Sequence, residues 1–457
     1  MENKLTVNQF LLAVLYILLP LVAYKVKLLF LPCLVLVFIL LWKCSFESSY
    51  FLINSYIISS SFFGISMAGI KIFDIVLIGI LIYMILNRKL DSLNQEYNIL
   101  GIFFIYTIFI YIFINLTRIP NNSAGYIEIV RYTFAFLALI LFSQRIFIFL
   151  ENKKVIKSID FISFILILQT IAMSICHNVF GDLEQFKSFF LTINIFNYDD
   201  SIASGMGAET EARVSAFFSD PNKLMVFFLS LLFIRKLLTK NMDINKYDFI
   251  YLFGALITGA RTSVIVVIIY LIVSCIATYL KGAQILGYML CLVFAILIYG
   301  FLSFNGLSVA SLINDIMNKA LVVFGRQRTL SIDSNISNDG RVVIWKQASL
   351  YIKQHIIFGN GLLSEKLLLP YPTHNTLVQV LLDTGIVGLV LYLLGIAKVL
   401  WQDKFSVYFL ILIGIPSLFL DLANYNFIYF VLGLIICSHL KKEFYSIEDT
   451  NSRSTSE

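Results

Sequence analysis

Four short stretches in the second half of the chain hold residue types for which so apolar a protein has little ordinary use. They read "EARVSAFFSDPNKL" (Glu211–Leu224), "LITGARTSVIVV" (Leu256–Val267), "NDGRVVIWKQASLYIKQHIIFGNG" (Asn338–Gly361) and "HNTLVQVLLDTGIVGL" (His374–Leu389). Three carry an arginine, and the fourth opens on one of only four histidines. A guanidinium inside or beside hydrocarbon faces a cavity, a partner or the interface, so the chemistry on offer is anion recognition. Arg261 interrupts a nearly continuous apolar run from Phe249 to Tyr279 and reads as an anion ligand; the plain alternative is a turn between two short spans. Arg213 ends an acidic loop, where it either holds an anion or pairs with Glu209 or Glu211. Arg341 sits in the first turn after "NDG", a turn signal, on an amphipathic pattern of Val343, Ile344, Ala348, Tyr351 and Ile352. On the plain reading this is a surface helix with Arg341 and Lys346 solvated, and His355 is a C-terminal charge.

The remaining polar residues have ordinary explanations beside the functional ones. Asp220 followed by Pro221 is a good helix start, a carboxylate cap with proline at the first helical position, and Asn222 then merely begins the helix. "PYPTHN" places Pro370, Tyr371, Pro372 and Thr373 before His374, and Asn375 or Thr373 suits a cap. Gly385 and Gly388 serve close helix packing on the same reading, while Asp383 is an unusual carboxylate within an apolar span.

The elements that position these residues are membrane helices. Of 457 residues 59% are hydrophobic and only 14% charged, with mean hydropathy +0.87. Apolar runs long enough to cross about 30 Å of hydrocarbon recur along the chain. The expectation is an all-α polytopic membrane protein of about fourteen spans. They fall near Gln9–Tyr24, Val26–Trp42, Tyr50–Gly64, Ile70–Leu86, Ile99–Leu116, Tyr126–Phe142, Ser158–Cys176, Pro221–Leu238, Asp248–Ala260, Thr262–Leu280, Ala283–Phe304, Asn375–Val399, Phe405–Leu420 and Asn424–His439. The first run lacks a small-residue cleavage site and reads as a retained helix rather than a signal peptide. With the N-terminus inside, lysines and arginines concentrate in the cytoplasmic connections. Residues 1–442 then form one membrane domain, and the polar, Ser-rich segment 443–457 is a disordered cytoplasmic tail.

That orientation places two long loops outside. Residues 177–220 carry two basic and seven acidic residues, and 305–374 carry seven basic and four acidic. Function concentrates on loops held by a rigid scaffold, so the chemistry is expected there. The net charge of +6 comes from basic residues beside apolar runs, a topology signal rather than a nucleic-acid footprint. The six cysteines are scattered and form no CxxC or His/Cys cluster, so neither a disulfide framework nor a zinc site is expected. There is no GxxxxGK[ST], HExxH or GxSxG, and "YDDS" is not a DxD element. No metal or cofactor is expected.

The order "R…F..DPN", "TGAR", "GRVVIW…FGNG" and "THNTLVQVLLDTGIVGL" resembles the O-antigen polymerase and ligase superfamily over about Glu211–Leu394. The resemblance implies a GT-C-like membrane fold. It also implies transfer of a glycan from an undecaprenyl-pyrophosphate carrier onto an acceptor hydroxyl, outside the bacterial cytoplasmic (inner) membrane. Arg261 and Arg341 match the family's functional arginines and would bind the pyrophosphate, with Arg213 third; guanidinium groups meet phosphate oxygens in planar, bidentate geometry. His374 matches the family's essential histidine and would act as general base, since an unperturbed imidazole titrates near ~6.5. Direct attack would invert the anomeric centre. Asp220, Asn222, Trp345, Tyr371 and Asn375 would shape the sugar site. The implied partners are the lipid-linked donor and acceptor, the bilayer, and in addition a chain-length regulator and a flippase.

The motifs fit a polymerase and a ligase alike. The "F..DPN" element and an Ile-, Phe-, Asn- and Lys-heavy composition favour a polymerase of O-antigen, capsule or exopolysaccharide. A lipid-linked-oligosaccharide flippase is the alternative from another class; such transporters tend to show internal repeats, and none is visible here. A purely structural membrane scaffold leaves the four motifs unexplained.

Overall fold

The computed structural model describes residues 6–25, 29–45, 47–62, 66–67, 70–90, 97–118, 123–148, 150–180, 218, 220–241, 243–258, 260–279, 335–401, 403 and 405–454. Each expected span except Ala283–Phe304, which lies outside the described residues, coincides with a helix. In chain order these are α1 (Val7–Lys25), α2 (Phe30–Cys44), α3 (Ser48–Ser60), α4 (Ile72–Leu86), α5 (Asn98–Ile110), α6 (Ser123–Phe142), α7 (Asn152–Phe180), α8 (Pro221–Thr239), α9 (Asp248–Ile257) and α10 (Arg261–Tyr279). After the third motif's helix α11 (Asn335–Gln354) and the single turn α12 (Glu365–Leu368) come α13 (Thr376–Leu400), α14 (Ser406–Ser417) and α15 (Asn426–Ser454). The described strands are two-residue segments, Ser66–Met67 and Ile70–Lys71, paired antiparallel before α4.

The chain is an all-helical polytopic membrane protein. Among the described residues three helical stretches, Asn98–Asn115, Gly125–Phe142 and Thr376–Leu400, are long and apolar enough to cross a membrane, and seven shorter apolar helices accompany them. Helix α8 is buried on every side from Leu224 to Leu237; apart from Ser230 it is apolar all round as far as Ile234, as a helix in the middle of a bundle must be. It packs among α7, α9, α14 and α15. Helix α15 lies closely along α6, where a Cβ on Gly433 would come 2.9 Å from the Leu139 carbonyl. An aromatic group of Tyr56, Phe142, Phe427 and Phe430 fills the space between α3, α6 and α15.

Three local readings change. Helix α11 begins at Asn335, so "NDG" lies inside its first turns; helix propensity is a weak prior, and Ile344 and Ala348 pack this helix against Leu369 and Leu382. Val343 is 49% exposed and does not belong to that packed face. The last helix continues to Ser454, through the segment expected as a disordered tail.

Polar side chains gather at the two ends of the bundle. At one end Arg235 of α8 meets Asp160 (3.0 Å) and Asp248 (3.1 Å), while Lys236 meets Asp248 at 2.6 Å. Tyr251 donates to Asp160, and Tyr270 donates to Asp248 at 2.9 Å. Two cations and two carboxylates thus close a neutral cluster, the arrangement that makes burial of ionic groups tolerable. The fourth motif lies at the other end.

Candidate active site

Helix α13 is interrupted. Gly385 has φ +68° and ψ −170°, a region that only glycine adopts without strain. Gly385 therefore does more than serve helix packing. The break leaves helical backbone groups without helical partners, and residues 356–361, which end in "FGNG", supply them. The Asn360 and Gly361 N–H groups donate to the Leu382 and Asp383 carbonyls (2.8 and 3.0 Å), and the Ile386 and Val387 N–H groups donate to Ile356 and Ile357 (2.8 and 3.4 Å). Asn360 Nδ2 reaches both the Tyr351 and Leu382 carbonyls (3.2 and 3.3 Å), and the Tyr106 hydroxyl donates to the Thr384 carbonyl at 3.0 Å. An irregular backbone at membrane depth survives only where protein satisfies it, and here it is satisfied.

Above the break, hydrogen bonds run from the interior to Thr373, the residue before His374. Asp383 accepts from the Ser364 N–H and hydroxyl (3.1 and 3.0 Å) and from Gln379 Nε2 (2.7 Å). Gln379 Oε1 lies 3.1 Å from the Thr373 hydroxyl. Glu365 Oε2 accepts from the Thr373 N–H at 3.1 Å and stands 3.4 Å from the same hydroxyl, whose single proton serves one acceptor at a time. The Thr373 carbonyl in turn accepts from Trp345 Nε1 at 2.8 Å. On the far side, Asn375 caps α13 by accepting from the Leu377 and Val378 N–H groups (2.9 and 3.1 Å) and donates to the Leu418 carbonyl at 2.9 Å. His374 stands half-buried between these two fixed residues with φ +47°. Left-handed backbone is uncommon outside glycine, and histidine is among the residues enriched there.

Carboxylates surround this end. Burial, reinforced by the charges of Asp421 and Glu128, pushes the Glu365 carboxyl up to about 7. Burial and Glu128 raise Asp421 to about 6, against the pull of Lys223 and Arg131. Glu128 pairs with Arg131 at 3.3 Å and with Asn424. These contacts bring the starts of α8 and α15 and the first turns of α6 to the rim that holds His374.

The expected site residues divide accordingly. Arg261 opens α10, nine residues or about 13 Å of helix from Tyr270 at the ionic cluster, so its backbone lies toward the His374 end. Arg341 stands four residues before Trp345 in α11, one turn from the side chain that holds Thr373. Arg213 lies outside the described residues, as do residues 181–217 and 280–334 of the two long loops and their approaches. Asp220 is the cap of α8, its Oδ1 accepting from both Asn222 N (2.8 Å) and Nδ2 (2.9 Å), so the plain reading of this pair describes what the structure places. Asn375 likewise spends its side chain on capping. Tyr371 is 68% exposed.

Sequence reasoning missed Glu128, Glu365, Gln379 and Asn115. Asn115 brackets Leu362, donating to its carbonyl (3.0 Å) and accepting from its N–H (2.8 Å). Glu128 and Arg131, spaced i, i+3 inside an apolar run, carried a signal of the kind that singled out Arg261. Glu365 carried none, because its partner Thr373 is set by the fold of a loop.

No curated protein matches the chain. Residues 247–393, from the start of α9 through the break in α13, match the family described as O-antigen ligase, a match that supports the O-antigen polymerase and ligase superfamily.

Proposed function

We propose that the chain is a polysaccharide polymerase of the bacterial inner membrane. It moves a growing glycan from undecaprenyl pyrophosphate onto the next lipid-linked repeat unit at a site facing the outside. The observation that carries this reading is the pre-set geometry of His374: a left-handed residue whose neighbours are fixed by Trp345, Glu365 and Asn375. A base held in place before substrate arrives avoids reorganisation in the transition state. In the proposed step the acceptor hydroxyl oxygen attacks the anomeric carbon and its proton passes to His374. The bond from that carbon to the pyrophosphate oxygen breaks, its electron pair leaves with the carrier, and the anomeric centre inverts. Arg261 and Arg341, with Arg213, bind the pyrophosphate and take up its developing charge. A chain-length regulator and a flippase are the expected protein partners.

A second reading, transfer of the finished glycan to lipid A–core, is favoured by the description of the family that residues 247–393 match. The test is deletion of the gene, complementation with wild type or His374→Ala, and electrophoresis of surface and carrier-linked glycans. Collapse of the ladder to one repeat per anchor, unrescued by His374→Ala, is the result expected of the polymerase. Long carrier-linked polymer that never reaches lipid A would show the ligase instead. A single unit trapped on the cytoplasmic side would mean a flippase, and full rescue by His374→Ala would sink the mechanism under either name.

A further inference from the structure

The connection between α14 and α15, residues 418–425, runs beside the residues that follow His374. Asn375 Nδ2 donates to the Leu418 carbonyl at 2.9 Å, and the Thr376 hydroxyl donates to the Leu420 carbonyl (2.7 Å) while accepting from the Leu422 N–H (2.9 Å). Asp421 thus stands between two residues fastened to the first turn of α13. Its Oδ1 accepts from the Ala423 N–H at 3.3 Å. Three residues on, Asn424 Nδ2 donates to Glu128 of α6, and Glu128 also pairs with Arg131 at 3.3 Å. Both α6 residues lie within Gly125–Phe142, which is long and apolar enough to cross a membrane; Arg131 is about 9 Å of helix from its start. An ion pair at that depth is expensive in hydrocarbon and marks a functional site by default.

These side chains hold more hydrogen-bonding capacity than the protein spends. Of the five N–H groups of a guanidinium, Arg131 commits one, to Glu128. Among the described residues Asp421 Oδ2 and Asn424 Oδ1 accept no hydrogen bond. Arg131, Asp421 and Asn424 are half-buried, whereas Glu128 is buried. Polar groups in such a position are completed by partners that reach in from outside. Charge and composition decide which partner. The charges acting on Asp421 are Glu128 on one side and Lys223 and Arg131 on the other, so the set has no surplus of positive charge with which to attract a phosphate. Among the described residues no three His, Cys, Asp or Glu are grouped to hold a metal ion. A neutral polyol fits: neighbouring hydroxyls accept from the guanidinium and donate to the carboxylate and amide oxygens. Asp220, Asn222 and Asn375, expected to shape the sugar site, are spent on helix caps.

We propose that Arg131, Asp421 and Asn424 form the subsite that binds the hydroxyl groups of the acceptor sugar, the one whose oxygen attacks in the transfer step. This rests on the glycan-transfer reading. A sugar held on the 418–425 connection lies along the first turn of α13, directly after the residue assigned as base. Glu128 is a positioning residue, holding Arg131 and Asn424 from within the bundle. All three binding residues fall outside residues 247–393, where the choice of sugar can change without altering the matched region.

The test uses the purified full chain in detergent micelles and the oligosaccharide released by mild acid from carrier-linked repeat units, which carries the sugars without the pyrophosphate. Its affinity is measured by isothermal titration calorimetry for wild type, Asp421→Asn and Arg131→Lys, with inorganic pyrophosphate as competitor. Asp421→Asn keeps the bond to Ala423 and loses the charge; Arg131→Lys keeps the charge and loses the planar fork. A hydrogen bond to a charged group is strong enough for each variant to bind about tenfold more weakly, and pyrophosphate should leave the wild-type affinity unchanged. If Arg131→Lys does not fold, Asp421→Asn alone decides. No binding by wild type, displacement by pyrophosphate, or an Asp421→Asn variant that binds as tightly as wild type would each overturn the proposal. The glycan ladder separates the two failures. A ladder unchanged by gene deletion sinks the transfer reading and the subsite with it, whereas a ladder lost on deletion, with undiminished saccharide binding in both variants, sinks the subsite alone.

Discussion

Replacing Gly385 by alanine probes the feature on which the proposed site rests, the break in α13. A Cβ there would lie 2.2 Å from the Ile357 carbonyl oxygen, 2.4 Å from its carbon and 2.6 Å from the Gly359 nitrogen. All three are backbone atoms and none can rotate away. The segment must move off by about 1 Å to reach ordinary contact, which disrupts the four backbone hydrogen bonds that join residues 356–361 to 382–387. A net loss of roughly 1 kcal/mol for each bond, added to about 1–3 kcal/mol for a non-glycine residue at this φ and ψ, gives about 5–7 kcal/mol. That is a large part of the 5–15 kcal/mol typical of a folded domain. The assay is thermal unfolding of the purified variant in detergent, compared with Gly79→Ala and Gly414→Ala. A Cβ at Gly79 meets nothing within 4 Å, and one at Gly414 has its nearest neighbour at 3.8 Å. Those controls should melt at or slightly above the wild-type temperature, because alanine suits a helix better by up to ~1 kcal/mol. Gly385→Ala should melt far below it. If Gly385→Ala unfolds together with the controls, the break is not held as described and the placement of His374 loses its support.

Three further outcomes follow from the same geometry. Asp248→Ala leaves Arg235 and Lys236, 4% and 1% exposed, without their shared carboxylate; the loss should be about 3–5 kcal/mol, seen as a lower unfolding temperature, and an unchanged temperature would contradict the cluster. Glu365 holds its proton up to about 7, against an ordinary 4.5, so the folded state binds more protons than the unfolded one between those values. Stability should therefore fall as pH rises through that window, by up to about 3 kcal/mol. Glu365→Gln should flatten the profile of unfolding temperature against pH from 4.5 to 7, and an equally steep profile in the variant would assign the slope to other groups. Trp345→Phe removes the donor to the Thr373 carbonyl and leaves that acceptor unmet, at about 1–3 kcal/mol. Glycan ladder formation should drop in this variant by more than its protein level in the membrane, and a parallel drop in both would make Trp345 a purely structural residue.

Composition and periodicity alone determined the class of this protein and most of its helices. A membrane helix is specified by a run of apolar residues whose backbone bonds are all internal to the segment. The spans at Ile99–Leu116, Tyr126–Phe142 and Asn375–Val399 were therefore legible without knowledge of any neighbour. The caps at Asp220 and Asn375 were legible for the same reason, since a cap binds N–H groups two or three residues away. Asp383 announced itself as a carboxylate in an apolar run. What only the tertiary structure decided is how the irregular segments close. The pairing of "FGNG" with the break in α13, the grip of Glu365 on Thr373, and the contacts of Asn115 with Leu362 and Asn424 with Glu128 join residues up to 296 positions apart. Short polar side chains in loops follow no period; they are placed by where the packed helices bring the chain back. The helices could be read one at a time, whereas the surroundings of His374 exist only once α6, α11, α13 and α15 have met.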